Sequence, residues 1–298
     1  MSEGAITRQE IKNALILVNP QAGRGKGEQL MKRIEKVFSD VGINPNVVLL
    51  TAPNQAFEII KELNQEDTAV VAAGGDGTAS LVTQALYETG CPWPLGLVPL
   101  GFGNCLASSL KIPMNIRGSA KIIARGKVGT FDLPWAQNRP IVVFFSSGFD
   151  ADVVKRASDC REWSSRMRDY VKATWSGFWQ YSWPVLEVEV DGEQIEGPFY
   201  QIMLSQMTKY ARFFRLQPSA GPKAYLFRQR IPQVFSYVPK LGFGMNLTNA
   251  ADIVLPVRDY LKITSASPNA LYQVDGDDGG RLPITCTIKP KAFKVLVP

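Results

Sequence analysis

The feature that most constrains the fold of this 298-residue chain is an alternation of short apolar runs with amphipathic stretches over its first third or so. The runs are Ala14–Val18, Val47–Leu50, Thr68–Ala73 and Leu95–Pro99, each of strand length. Between them apolar residues recur at helical spacing: Leu30, Ile34, Val37, Phe38 and Val41, then Ala56, Ile59, Ile60 and Leu63 after Pro53, then Leu81, Val82, Ala85 and Leu86 before Gly90. A strand covered on both faces reads as an unbroken apolar run, and the helix that covers it needs one apolar stripe. The pattern predicts an α/β fold with a doubly wound, Rossmann-like parallel sheet.

After about Gly129 the texture changes. Ile141–Phe145, Val185–Val190, Phe199–Leu204 and Leu261–Thr264 are β-branched and aromatic, and two Asp-Gly pairs, Asp191-Gly192 and Asp275-Gly276, read as hairpin tips. This half is expected to be mainly antiparallel β. One helix is expected to interrupt it, carrying Met167, Tyr170, Val171, Thr174, Trp175, Phe178 and Trp179. The length exceeds one ordinary core, and without a low-complexity linker the two halves are expected to meet along a cleft.

Composition removes several chemistries. The chain has no histidine, which excludes Ser/His/Asp catalysis and His-ligated zinc, so proton transfer falls to carboxylates, Lys or Tyr. Cys91, Cys105, Cys160 and Cys286 form no CxxC pair and read as reduced thiols. The net charge of +6 suits nucleotide phosphates or an acidic lipid surface. It would also suit nucleic acid, but no long basic block or RNA-recognition signature accompanies it, so no nucleic acid partner is expected. No apolar run approaches the roughly 20 residues of a membrane span. Met1–Lys12 is polar and lacks the core of a secretory signal, which points to the cytoplasm.

Chemistry is concentrated in glycine turns that follow the predicted strands. Gly74-Gly75-Asp76-Gly77-Thr78 leaves one strand and opens a helix. Glycines there allow positive φ and close backbone approach, and the free amides of a helix start favour a phosphate. Asp76 is open to two readings, an N-cap of a plain βα turn or a group that holds a metal or orients a nucleophile. A second turn, Pro99 to Asn104, reads PLGFGN and includes Gly101 and Gly103. A third, Val18 to Gly27, begins at Asn19 and carries Arg24 and Lys26 among glycines, without the GKS or GKT of a Walker A loop. Loops of one type at one edge of an α/β sheet mark a ligand site.

VNPQAGRGKG, GGDGT and PLGFGN, in this order and spacing, resemble the diacylglycerol kinase catalytic domain family, which includes sphingosine kinases and bacterial YegS-like lipid kinases. SSGFDADV at 146–153, RLQPSAG at 215–221 and QVDGDDGG at 273–280 are similar to the family's later segments, so the resemblance covers nearly the whole chain. It implies a nucleotide-binding α/β domain over 1–129 with a returning strand at 292–298, and a β-sandwich lipid domain over 130–291. It also implies transfer of the ATP γ-phosphoryl group to a lipid hydroxyl with Mg2+ present. Asp76 and Asp277 are then the catalytic carboxylates. Asn19, Gly74, Gly75, Gly77, Thr78, Gly101, Gly103, Asn104 and Asp275 hold the nucleotide, and Asp76 and Asp275 the metal. A membrane lipid is the implied substrate and a membrane surface the implied peripheral contact, with a homodimer left open.

The chain departs from the family pattern at Asp277, where glutamate is usual, at Phe102 and Cys105 in the second turn, at Val154, where sphingosine kinases use an aspartate, and at Ala211–Phe214. Val154 makes a charged sphingoid base a poorer acceptor than diacylglycerol. Glu193, which completes a second DGE string, is assigned to an ordinary solvent hairpin. NAD kinase, which shares a GGDG turn, and a nucleotide or lipid sensor without turnover remain the alternatives.

Overall fold

A computed structural model describes residues 6–22, 27–52, 54–159, 175, 177, 179–210, 214–216, 221–228 and 251–298. The chain divides into two units, Met1–Leu133 with Pro290–Pro298, and Pro134–Lys289.

The first unit runs β1 (Ile6–Arg8), β2 (Asn13–Val18), α1 (Gly27–Asp40), β3 (Asn44–Leu49), α2 (Gln55–Lys61), β4 (Thr68–Gly74), α3 (Asp76–Glu88), β5 (Leu95–Pro99), α4 (Cys105–Ser109), α5 (Ile116–Ala124) and the first part of β6 (Lys127–Ala136). β5, β4, β2 and β3 lie side by side in that order and all run parallel, with Ile16 opposite both Val47 and Val71. Val295, near the end of the chain, adds a parallel pair to Leu95. The core is made as the periodicity requires. Ile34 and Phe38 of α1 are fully buried with Ile16, Val71 and Val98, while Glu35 and Lys36 face solvent. The predicted helix stop at Gly90 is real: φ is +66° there, and the amide of Cys91 reaches back to the Leu86 carbonyl. From β2 the chain steps out to β3 and then returns to β4 on the other side. The strand order therefore reverses between β2 and β4, and the loops that follow these two strands are those carrying Asn19 and Gly75. Open α/β sheets bind ligands beyond the carboxyl ends of the strands at such a reversal.

The second unit holds β7 (Arg139–Pro140), β8 (Phe145–Gly148), α6 (Phe149–Asp159), β9 (Leu186–Val190), β10 (Glu193–Phe199), β11 (Gln201–Ser205), β12 (Lys209–Tyr210), β13 (Phe214–Arg215), β14 (Lys223–Phe227), β15 (Ile253–Pro256), β16 (Tyr260–Thr264), β17 (Leu271–Val274), β18 (Asp277–Arg281) and the start of β19 (Ile284–Leu296). One antiparallel sheet orders β15, β14, β11, β8, β17 and β18; in the other, β10, β9, β16 and β19 are neighbours. Phe145, Ile202, Leu226 and Val274 of the first share one core with Val188, Leu261 and Ile263 of the second. This is the sandwich expected of the second half.

Three expectations need correction. Ile141–Phe145 is not one strand: only Phe145 enters β8, and the amides of Val142, Val143 and Phe144 turn inward to a carboxylate instead. The segment 149–159, read only as a motif, is a helix, with Phe149, Val153 and Ala157 buried along one face and Asp150 and Asp152 in its first turn. Finally, none of Gly74, Gly75, Gly77, Gly101 and Gly103 has a positive φ. The helix expected around 167–179 lies outside the described residues except at Trp175 and Trp179, as do Pro53, Arg24 and Lys26.

Candidate functional site

In the first unit the motif residues form one interlocked pair of loops. Asn19, just past β2, donates from Nδ2 to Thr78 Oγ1 at 3.0 Å, and its Oδ1 accepts the Gln21 amide at 2.8 Å. The hydrogen bond spans the reversal point of the sheet, from the end of β2 to the first turn of α3. Gly74 leaves room for Thr78, since a Cβ there would stand 2.3 Å from Thr78 Oγ1. Gly75 and Gly101 meet backbone to backbone: a Cβ on Gly101 would lie 2.4 Å from Gly75 Cα. The glycines are therefore required by close approach of the two loops, not by their dihedral angles.

Asn104 takes the left-handed conformation instead, at φ 49° and ψ 42°. Its side chain closes the second loop on itself, accepting the Gly101 amide at 3.1 Å and donating to the Gly101 carbonyl at 2.7 Å. It is thus not free to cap α4, and Asp76 does so from the other loop. Asp76 Oδ2 accepts the Cys105 amide at 2.9 Å and Oδ1 the Leu106 amide at 3.0 Å. Burial pushes the Asp76 carboxyl above its ordinary range, opposed by the amides of Leu106, Cys105 and Asn104. α3 itself has no side-chain cap, so its first amides face the strand edge without one. Gly77, in that first turn, has nothing within 4 Å of the position a Cβ would take.

In the second unit the two Asp-Gly hairpins turn out to be twins. Asp191-Gly192 has φ of 50° and 90°, and Asp275-Gly276 has 54° and 90°, the two-residue turn in which both positions are left-handed. Each aspartate then receives three consecutive backbone amides from the segment leading into a neighbouring strand. Asp191 takes those of Arg258, Asp259 and Tyr260 at the start of β16. Asp275 takes those of Val142, Val143 and Phe144 ahead of β8, at 2.9–3.1 Å. Burial raises the Asp275 carboxyl to about 6 against the pull of its amides. At the less enclosed Asp191, burial pushes the same way but the amides prevail and the carboxyl sits below its usual range.

The terminal hairpin is further held from within the sheet. Gln273, fully buried, accepts the Gly276 amide on Oε1 at 2.8 Å and donates from Nε2 to Ser146 Oγ at 2.6 Å, and Ser146 donates to Asp150 at 2.5 Å. Past the turn, Asp277 is exposed and pairs with Arg139 at 3.3 Å, and Asp278 pairs with Lys155 at 3.1 Å. Glu193, at the same register on the twin hairpin, is exposed.

Residues 13–135 match the family model described as diacylglycerol kinase catalytic domain. Over this stretch the chain is similar to that family. Over nearly its whole length the chain is also 24% identical to a diacylglycerol kinase of Staphylococcus carnosus, covering 91% of this chain and 90% of that one. Its fold is shared with a diacylglycerol kinase of Bacillus anthracis (15% identity, TM-score 0.70, 98% of each chain). A more distant likeness joins it to an NAD kinase of Archaeoglobus fulgidus solved with ATP, at 13% identity and TM-score 0.52 over 95% of this chain and 93% of that one.

Within the matched stretch, Asn19, Gly74, Gly75, Asp76, Gly77, Thr78, Gly101, Gly103 and Asn104 are brought to one edge of one sheet, as the three-loop pattern implied. The two aspartates assigned to the metal are already engaged with the backbone. Magnesium takes carboxylate oxygens that can face it, together with substrate phosphates and water. Asp76 and Asp275 each accept backbone amides on both oxygens, so each anchors a loop whether or not an ion is bound. Sequence reasoning missed Arg139, whose partners Val274 and Asp277 are more than 130 residues away. Gln273 and Ser146 stood inside recognised segments, but their bond to each other spans 127 residues and left no role to read.

Proposed function

We propose that the protein is an ATP-dependent lipid kinase that phosphorylates the hydroxyl of a membrane lipid, diacylglycerol or a close relative. The observation that carries this reading is that the diacylglycerol kinase family match falls on the segment whose glycine loops close against each other at the sheet's reversal point. Uncapped amides of a 13-residue helix and a backbone open at Gly77 suit the triphosphate there. Asn19 and Thr78 would line the nucleotide, and Asp76 would keep the two loops in register.

In the reaction the lipid hydroxyl oxygen bonds to the γ-phosphorus, the bond from phosphorus to the ADP oxygen breaks, and the hydroxyl proton leaves to a carboxylate. With no histidine in the chain, Asp277 is the group we assign to that proton. It is exposed, and its hairpin is pinned on two sides, so the carboxylate is presented rather than buried. Phosphoryl transfer asks mainly for alignment and charge stabilisation, which fixed amides and a placed carboxylate supply.

Contact with a membrane surface is supported by Trp175 and Trp179, which are 60% and 71% exposed with rings 6.4 Å apart. Among the described residues no helix is long and apolar enough to cross a membrane.

The test is incubation of the purified protein with γ-labelled ATP and vesicles carrying, in turn, diacylglycerol, monoacylglycerol, ceramide and sphingosine. Label in a lipid product, greatest with diacylglycerol, is the expected result. ATP binding without label in any lipid would favour the sensor reading, which the amide-committed Asp76 and Asp275 make the natural second choice.

A further inference from the structure

The twin hairpins of the second unit supply an internal control for what the terminal one does beyond folding. Both have the same left-handed Asp-Gly turn, and both turn aspartates receive three consecutive amides. The strand pairs that flank the turns correspond as well: Val190 faces Glu193 in one, and Val274 faces Asp277 in the other. They differ at the neck. At the terminal hairpin a single nitrogen, Arg139 Nη2, donates to the Val274 carbonyl at 2.7 Å and to Asp277 Oδ2 at 3.3 Å, touching both strands at once. Glu193, in the position equivalent to Asp277, has no side-chain partner among the described residues. The turn and its three-amide capture therefore form without an arginine on the neck carboxylate, so the arginine is not what the fold needs there.

We infer that Arg139 is a positioning residue that fixes the carboxylate of Asp277. The inference rests on the assignment of Asp277 to the transferred proton. Arg139 sits in β7, three residues before the amides that hold Asp275, so one short segment, 139–144, clasps both the turn and the carboxylate beyond it. An exposed aspartate otherwise samples its rotamers freely, and a shift of about 1 Å in a reacting group can cost on the order of a hundredfold in rate. The guanidinium removes that freedom through a hydrogen bond to a rigid carbonyl. The exposed pairing with Asp277 would contribute little to stability, and the hydrogen bond to the Val274 carbonyl only modestly. The effect of Arg139 should therefore appear chiefly in turnover, with at most a small change in melting.

The experiment compares wild type, Arg139→Gln, Arg139→Lys, Asp277→Asn and the double variant Arg139→Gln/Asp277→Asn for kcat, for the KM of ATP with diacylglycerol vesicles, and for melting temperature. Arg139→Gln is expected to lower kcat at least tenfold with the KM of ATP within about twofold, to recover to within about threefold of wild type in Arg139→Lys, and to add less than twofold on top of Asp277→Asn. Arg139→Met, which keeps the apolar stem, repeats the test should the glutamine variant fold poorly. Wild-type kcat in both neutral variants, or an equal loss with and without Asp277, overturns the inference while leaving Asp277 in place. Wild-type turnover in Asp277→Asn overturns the assignment of Asp277, and the role of Arg139 with it.

Discussion

Gly77→Ala separates the two reasons a glycine can stand in a loop of this kind. Gly75 and Gly101 are required by packing: an added Cβ would lie 3.3 Å from Gly101 Cα in the first case and 2.4 Å from Gly75 Cα in the second. Gly101→Ala should accordingly cost about 1–3 kcal/mol of stability, with a fraction of that for Gly75→Ala. Gly77 is the opposite case, since nothing lies within 4 Å of its Cβ position and it sits in the first turn of α3. In the absence of ligand an alanine there should stabilise the protein by about 0.5–1 kcal/mol, because glycine is the poorer helix former. A rise in melting temperature of about 1–4 °C follows for a domain of this size. If the backbone at Gly77 is bare because a phosphate approaches it, the same methyl costs roughly 1–3 kcal/mol of binding, which is about five- to 150-fold in the Kd of ATP. Differential scanning calorimetry and isothermal titration with ATP read the two effects separately. A Gly77→Ala variant that binds ATP as tightly as wild type would refute the placement of the phosphates on this turn, whatever its stability.

Three further outcomes are expected. Asp277→Asn should remove most of kcat with ATP binding little changed, Glu193→Gln should be silent, and Asp277→Glu should keep or raise activity; the reverse pattern in initial rates would put the site on the other hairpin. Asp76→Asn should lower turnover by about a hundredfold or more, because its amide group cannot accept the Cys105 and Leu106 amides together and the loops lose register. Turnover within tenfold of wild type would remove Asp76 from the site. The third concerns pH. Asp275, raised to about 6 from an ordinary 3.8, binds a proton more tightly folded than unfolded. Its contribution is therefore fully present below about pH 4 and lost as pH rises through 6, on the order of 3 kcal/mol in all. The difference in urea stability between wild type and Asp275→Asn should shift by that order between pH 4 and 7, and a flat difference would mean that the amides hold the carboxylate ionised throughout.

The sequence made the first unit legible because its information there is local. Ile34 and Phe38 lie one turn apart on one face, β2 and β4 are unbroken apolar runs, and GGDGT marks the passage from strand to helix. Why each motif residue is needed was not legible. The glycines looked like positions of free φ, yet the left-handed residue of the second loop is Asn104, held by its own side chain on Gly101. Asp76 looked like a ligand for metal, yet it caps a helix 29 residues further on. In the second unit the Asp-Gly tips were legible for the same local reason. The segment 141–144 was misread as strand because apolar, β-branched residues also suit a buried loop, and its amides find their partner at Asp275, more than 130 residues away. Hydrogen bonds of that range leave no periodicity to read.

The most direct test of the account is the initial rate at which purified protein transfers the γ-phosphate of ATP to diacylglycerol in vesicles, measured beside Asp277→Asn at saturating ATP. The expected result is a saturable rate with phosphatidic acid as the labelled product, reduced at least tenfold in the variant while both proteins bind ATP alike. A wild-type protein that binds ATP but labels neither diacylglycerol nor any other lipid hydroxyl, or a variant as fast as wild type, would contradict it.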